Sequence, residues 1–255
     1  MTNQTTYAAT HVMEKAEFNR QYYDGVWSGV KLMSPSRFNT WPIFSSLVAD
    51  FPHCLEIGPG LRPRLPINGT NFLDLSPVVV DRINQAGGYA RVGNINALPY
   101  PDRHFDMVCA FDVIEHVFDD QQAFRELSRV IIDNGLFSFS VPLHEDLWTS
   151  FDSQVGHHRR YQPEHLQDMM TSNDFILEQS AVYGMKPRSQ SMIKLGMWLL
   201  SHFQRPTLFL YDLFIFPLGL RLQKPLNFVP GLIATTEVEK VLFMCRRAQR
   251  EEQTH

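Results

Sequence analysis

Residues 54–60, Cys54-Leu-Glu-Ile-Gly-Pro-Gly60, close a short apolar run with an acidic residue and two glycines one residue apart. The pattern reads as a buried strand that opens into a tight turn at the edge of a sheet. Gly58 and Gly60 can adopt backbone angles that other residues avoid, and without side chains they let a ligand approach the main chain. Such a turn suits a nucleoside-containing ligand. A dinucleotide fingerprint, Gly-x-Gly-x-x-Gly, would need glycine at position 63, where Pro63 stands. Proline restricts its own backbone and that of Arg62, so the turn is not expected to run straight into a pyrophosphate-binding helix. Farther on, Asn71-Phe-Leu-Asp-Leu-Ser76 reads as a second strand. It ends at Asp74, placed to accept hydrogen bonds from both hydroxyls of a ribose.

Outward from these two strands the chain alternates. Strands are expected near 53–58, 71–75, 88–92, 105–112 and 136–142, with helices near 37–50, 77–86 and 119–133. The last helix puts Phe124, Leu127, Val130 and Ile131 on one face, and Asn134-Gly135 is read as its stop. Strands alternating with helices imply a parallel sheet covered on both faces. Ligands bind such sheets at the carboxyl ends of the strands, where Gly58, Asp74, Asn94 and Asp112 would gather. Beyond 142, a helix is expected at 163–172 and strands at 175–183 and 238–246.

Residues 93–117 read Gly93-Asn-Ile-Asn-Ala-Leu-Pro-Tyr-Pro-Asp-Arg-His-Phe-Asp-Met-Val-Cys-Ala-Phe-Asp-Val-Ile-Glu-His-Val117. With the two earlier motifs, this stretch resembles the class I S-adenosylmethionine-dependent methyltransferases. The likeness is to their small-molecule branch, which includes quinone- and lipid-methylating enzymes, and it covers residues 53–142. It implies an α/β fold, Rossmann-like and doubly wound. The mostly parallel sheet would have seven strands with an antiparallel last strand, and a helical insertion between the last two. The expected organisation is a cofactor-covering N-terminal region (1–50), a binding core (51–183), an apolar insertion (184–236) and a last strand with a polar tail (237–255).

The resemblance implies S-adenosylmethionine as cofactor, held by Glu56, Gly58, Gly60, Asp74, Leu75, Asn94, Ile95, Phe111, Asp112 and His116. Two positions depart from the family pattern. Arg62 stands where many relatives have a third glycine, and Asn94 where many have an acid that receives the adenine amino group; the Asn94 carbonyl can accept the same bond. In relatives a Gly-His-x-Arg-x-Tyr stretch faces the acceptor, and here it reads Gly156-His-His-Arg-Arg-Tyr161. His157 and His158 are therefore the candidate bases, and Tyr22, His144, Arg159, Arg160 and Tyr161 the candidate acceptor contacts. These polar residues could equally pin the loop. A metal site from His144, His157 and His158 with Glu145 or Asp152 is not expected: adjacent histidines diverge, and no Cys/His spacing of known geometry appears.

The formal charge of −4 offers no basic field for nucleic acid. Three cysteines, Cys54, Cys109 and Cys245, lie in apolar runs and read as reduced packing residues. With a polar start unlike a signal peptide, this points to the cytoplasm. The insertion holds apolar runs, Leu195–Leu200 and Leu208–Leu220, too short and interrupted to span a bilayer. A lid over an apolar or lipid-linked acceptor, a peripheral membrane contact through 195–220, a homodimer interface and extra core all remain open for it. The activity expected is methyl transfer to a small acceptor, at a hydroxyl. The rivals are a catalytically silent binding module of the same fold and a nicotinamide-dependent oxidoreductase, which the missing glycine at 63 disfavours.

Overall fold

The computed structural model describes residues 27, 30–184, 198 and 216–249. The expected N-terminal arm, Tyr22 and most of the apolar insertion lie outside these residues. Strands β1 (Cys54–Ile57), β2 (Thr70–Asp74), β3 (Tyr89–Val92), β4 (Phe105–Phe111) and β5 (Ile131–Pro142) pair in parallel. β6 (Phe175–Val182), β7 (Val229–Pro230) and β8 (Lys240–Arg247) add antiparallel pairings. The sheet order is β3-β2-β1-β4-β5-β8-β6-β7. The expected seven strands are present with their antiparallel end. An eighth, β7, is a two-residue edge strand that residues 229–230 of the insertion lay against β6.

Side chains alternate across the sheet as strand geometry requires. Leu55, Ile57, Val108, Ala110, Phe137 and Phe139 share one core with helices α3 (Asp120–Val130) and α5 (Pro163–Ser172), between which the chain forms the short α4 (Ser150–Gln154). Cys54, Met107, Cys109 and Leu136 turn to the opposite face and meet Phe44 of α1 (Trp41–Asp50). Helix α2 (Pro77–Gln85) starts at Ser76, whose hydroxyl accepts the Val79 N–H, and packs Val79, Val80 and Ile83 on Phe72. The cysteines are all free and buried. No helix of the described residues is long and apolar enough to cross a membrane.

One local reading changes. Helix α3 ends at Val130, not Asp133, because the N–H groups of Arg103 and His104 take the carbonyls of Arg129 and Val130. Ile131 then pairs with Phe105, and the ladder resumes at Leu136 opposite Met107. Asn134-Gly135 is thus a bulge within β5 rather than a helix stop. A Cβ on Gly135 would stand 2.5 Å from Ile131 Cγ2 and 3.0 Å from the Asp106 carbonyl. Residues 58–69 join β1 to β2 without a helix, as Pro63 predicts. No helix within 58–69 therefore turns its N-terminus to the first turn.

Arg129 straps the segment after β3 onto α3. Its guanidinium donates to the carbonyls of Leu98 and Tyr100 and to the carboxylates of Asp102 and Glu126, while Glu126 accepts the Leu98 N–H.

Phe124 of α3 meets Phe137, Phe139 and Phe175 edge-on, with centroids 5.7–6.2 Å apart. Replacing it removes the contact that joins α3 to three strand side chains. Phe124→Ala is expected to cost about 3–5 kcal/mol in urea unfolding, and Ile176→Ala, at an exposed position, less than about 0.5 kcal/mol.

Candidate active site

A cavity of about 360 Å³ opens at the carboxyl ends of β1–β4, within the roughly 300–1,000 Å³ of small-molecule sites. Its position beside the β1/β4 junction is where the strand order reverses, the switch point at which such sheets bind ligands. Gly58, Gly60, Asp74, Leu75, Asn94, Ile95, Phe111, Asp112, His116 and His158 all line it. Glu56, His144, His157, Arg159, Arg160 and Tyr161 are not among its lining residues.

The first turn is backbone-lined by necessity. Gly58 has φ +60° and Gly60 φ +54°; a Cβ on Gly58 would stand 2.7 Å from Val113 Cγ2, and one on Gly60 2.3 Å from the Trp27 ring. Gly58 N–H bonds the Leu73 carbonyl, and Gly60 N–H donates to Asp74 Oδ2 at 3.0 Å. Asp74 Oδ1 takes the Ser76 N–H at 2.9 Å. The Asp74 carboxylate therefore locks β2 to the turn at the edge of the cavity. Asn94 Oδ1 accepts the Asn96 N–H, so the amide is oriented by its own turn.

Glu56 acts behind the wall instead of on it. Only 1% exposed, its carboxylate accepts the N–H of Arg64 with both oxygens and that of Leu65 with Oε2, at 2.9–3.0 Å. Burial pushes it up to about 7, against these bonds and the Arg64 charge. It positions the loop that carries Arg62 and Arg64, both of which line the cavity. The Arg62 guanidinium lies 3.7 Å from the centroid of Phe216, on helix α6 (Phe216–Arg221), and that of Arg64 3.6 Å from Phe38. These two cationic contacts fix the loop from outside. Sequence reading passed over both arginines as site residues; their one signal is the pairing Arg62-Pro-Arg64 directly after the glycine turn.

Asp112, at φ +57°, accepts the Ser140 hydroxyl at 2.6 Å and pairs with Lys240 Nζ at 2.9 Å. Burial raises its carboxyl, but Lys240 and Ser140 outweigh this and hold it below the usual range. Lys240 opens β8, and no sequence signal tied it to the site. His116 is driven down to about 3, first by burial and then by the neighbouring His157. At neutral pH it is an uncharged ring.

The two candidate bases separate. His158 lines the cavity, its ring edge-on to Phe118 with centroids 5.6 Å apart, and its N–H bonds the Glu115 carbonyl. His157 turns inward: Nδ1 lies 2.8 Å from Asp152 Oδ1, Nε2 3.9 Å from Glu115 Oε1, and its ring is edge-on to His116. Burial lowers its pKa in spite of Asp152.

The remaining loop residues pin the structure, as the plainer reading allowed. Buried Arg160 pairs with Asp152, which also accepts from Thr149. Buried Tyr161 donates to Asp120 Oδ2, and Arg159 pairs with the same carboxylate and with the Phe118 carbonyl. His144 Nε2 lies 2.8 Å from the Thr235 carbonyl. Each makes polar contacts within the protein, and of residues 156–161 it is His158 that lines the cavity.

A methyltransferase-domain family model matches residues 68–139. A protein of Mycolicibacterium smegmatis named a probable S-adenosylmethionine-dependent methyltransferase is 32% identical over 90 residues, 34% of this chain and 35% of its own length. A malonyl-[acyl-carrier protein] O-methyltransferase of Halorhodospira halophila is 28% identical over 128 residues, 46% of this chain and 43% of its own length. The matched part thus spans less than half of either curated relative. The crystal structure of a SAM-dependent methyltransferase from Thermotoga maritima superposes with a TM-score of 0.57 over 93% of this chain and 98% of that one, at 15% identity, a likeness of fold.

Glu56 supplies a pH test. Its folded pKa of about 7 lies above the ordinary carboxyl value of 4.5, so the folded state holds the proton through that window. This contribution is complete below about 4.5 and is lost as pH rises through about 7, by up to about 3 kcal/mol. The stability difference between wild type and Glu56→Gln is expected to fall between pH 5 and 8 in urea unfolding. Gly58→Arg is expected to weaken S-adenosylhomocysteine binding at least tenfold in calorimetry while circular dichroism stays that of the wild type.

Proposed function

We propose that this chain, which belongs to the class I S-adenosylmethionine-dependent methyltransferases, moves a methyl group from that cofactor to an oxygen of a small acceptor, apolar or lipid-linked. The observation that carries the reading is the cavity itself. Its floor is the backbone of Gly58–Gly60, its polar edge is Asp74, and its walls are Ile57, Leu73, Ile95, Phe111, Val113 and Val117. That combination fits a nucleoside with an apolar cleft for its base and a carboxylate for its ribose. A pyrophosphate, by contrast, would want a helix N-terminus after β1, and residues 58–69 supply none. The cofactor, when bound, supplies a methyl already activated by its sulfonium.

The protein's part is then alignment, exclusion of water and removal of one proton. Asp74, Asn94 and the glycine turn bind and orient; the apolar walls exclude solvent. His158 is the base, the one histidine ring of the Gly156–Tyr161 loop that lines the cavity. An imidazole there can take the hydroxyl proton as the oxygen is methylated. The oxygen acceptor is supported by the O-methyltransferase among the relatives. Its apolar or lipid-linked nature is supported by the exposed rim aromatic Phe118 and by the greasy runs within 195–220, through which a peripheral membrane contact or a homodimer would also form.

With S-adenosylmethionine carrying a labelled methyl group and bacterial extracts as acceptor, label is expected in the solvent-extractable lipid fraction. Label confined to polar products would overturn the acceptor class, and cofactor binding without any transfer would favour a binding module. His158→Gln is expected to slow transfer by about 10²–10⁴-fold, with affinity for S-adenosylhomocysteine kept within about threefold.

A further inference from the structure

Beneath the cavity wall lies a cluster that the proposed reaction does not use. Glu115, His116 and His157 each offer one ligand atom, and these atoms lie within 4.8 Å of one another. The sequence separates His157 from the other two, so no local spacing announces the group. We propose that Glu115, His116 and His157 bind one divalent first-row transition-metal ion, with an open coordination position toward the cavity.

Four observations carry this. Two imidazoles and one carboxylate are a donor set for zinc, cobalt, manganese or iron(II), and three protein ligands with a vacant position is the catalytic pattern. His157 is already oriented as a ligand. Asp152 holds Nδ1 at 2.8 Å and leaves Nε2 on the Glu115 side, the carboxylate–histidine arrangement that supports metal-bound rings. Asp152 is itself fixed by Arg160 and Thr149. Third, Glu115 is 1% exposed, and its Oε2 has no hydrogen-bond partner among the described residues. A buried carboxylate oxygen left this way is a group in want of a ligand. Fourth, His116 also lines the cavity, beside His158.

The geometry is close to what an ion needs. Bonds of about 2.1 Å in a tetrahedron put ligand atoms about 3.4 Å apart, so Glu115 Oε1 and His157 Nε2, now at 3.9 Å, close by a small side-chain rotation. The nearby cation Lys240 is already paired with Asp112 at 2.9 Å. An ion there would hold the acceptor oxygen and lower its proton affinity. This role rests on the methyltransferase reading; the binding itself does not.

The test is a cobalt titration of the tag-free chain after chelator treatment and dialysis, read by visible d–d absorption and by metal content. One Co²⁺ per chain is expected, with a band that Zn²⁺ abolishes. His157→Gln and Glu115→Gln are expected to weaken Co²⁺ binding at least tenfold, and His144→Gln, outside the cluster, to leave it unchanged. Two variants guard against one failing to fold, checked by circular dichroism. No band at millimolar Co²⁺, or equal affinity in folded His157→Gln or Glu115→Gln, overturns the site. S-adenosylhomocysteine calorimetry on the same metal-free sample separates the two claims. Cofactor binding without a cobalt band removes the metal site alone, and a cobalt band without cofactor binding removes the methyltransferase reading alone.

Discussion

The buried Glu56 carboxylate is the anchor on which the cavity depends. It sits one residue before the end of β1, where the chain must leave the sheet without a helix to satisfy its backbone. Its two oxygens take up the Arg64 and Leu65 N–H groups in place of water. That closes the loop on itself and brings Arg62 and Arg64 against Phe216 and Phe38. Asp74 makes the complementary tie, from β2 back to Gly60. The two carboxylates thus do for this turn what intrahelical hydrogen bonds do in a dinucleotide-binding fold. A backbone with its donors satisfied by acids leaves little positive potential for a phosphate.

Much of this was legible in the sequence because it is local. Glycines with φ beyond +50° announce themselves by type, and Pro63 announces the absence of the helix. Alternation of strand and helix follows from hydrophobic period, and the motif around Leu98–Val117 adds order. The readings that changed are those decided by partners distant along the chain. Helix α3 stops at Val130 because Arg103 and His104 claim its last carbonyls, and nothing at 131–135 says so. Glu56 looks like a ligand contact by position and becomes an internal brace once Arg64 and Leu65 fold back on it.

The loop after β5 shows the same limit more sharply. Five polar residues in a row, Gly156 aside, read equally as a functional face or as a pinned segment. The structure divides them one by one: Arg159, Arg160 and Tyr161 are spent on Asp120 and Asp152, and only His158 reaches the cavity. Pairing with an acid that lies 8 or 41 positions away is a tertiary fact with no periodic trace. The Asp112–Lys240 pair, which joins β4 to the far end of the chain, is another.

The divergence of His157 and His158 has a mechanical consequence. One ring faces the interior cluster and the other the cavity, and a single peptide unit connects them. The register of this segment against the pinned Arg159–Tyr161 therefore acts as a phase selector: gaining or losing one residue between His158 and that anchor would move one ring into the other's compartment. The cavity wall can thus be altered at His158 and its neighbour Phe118 while Asp152 keeps the inner ring in its place.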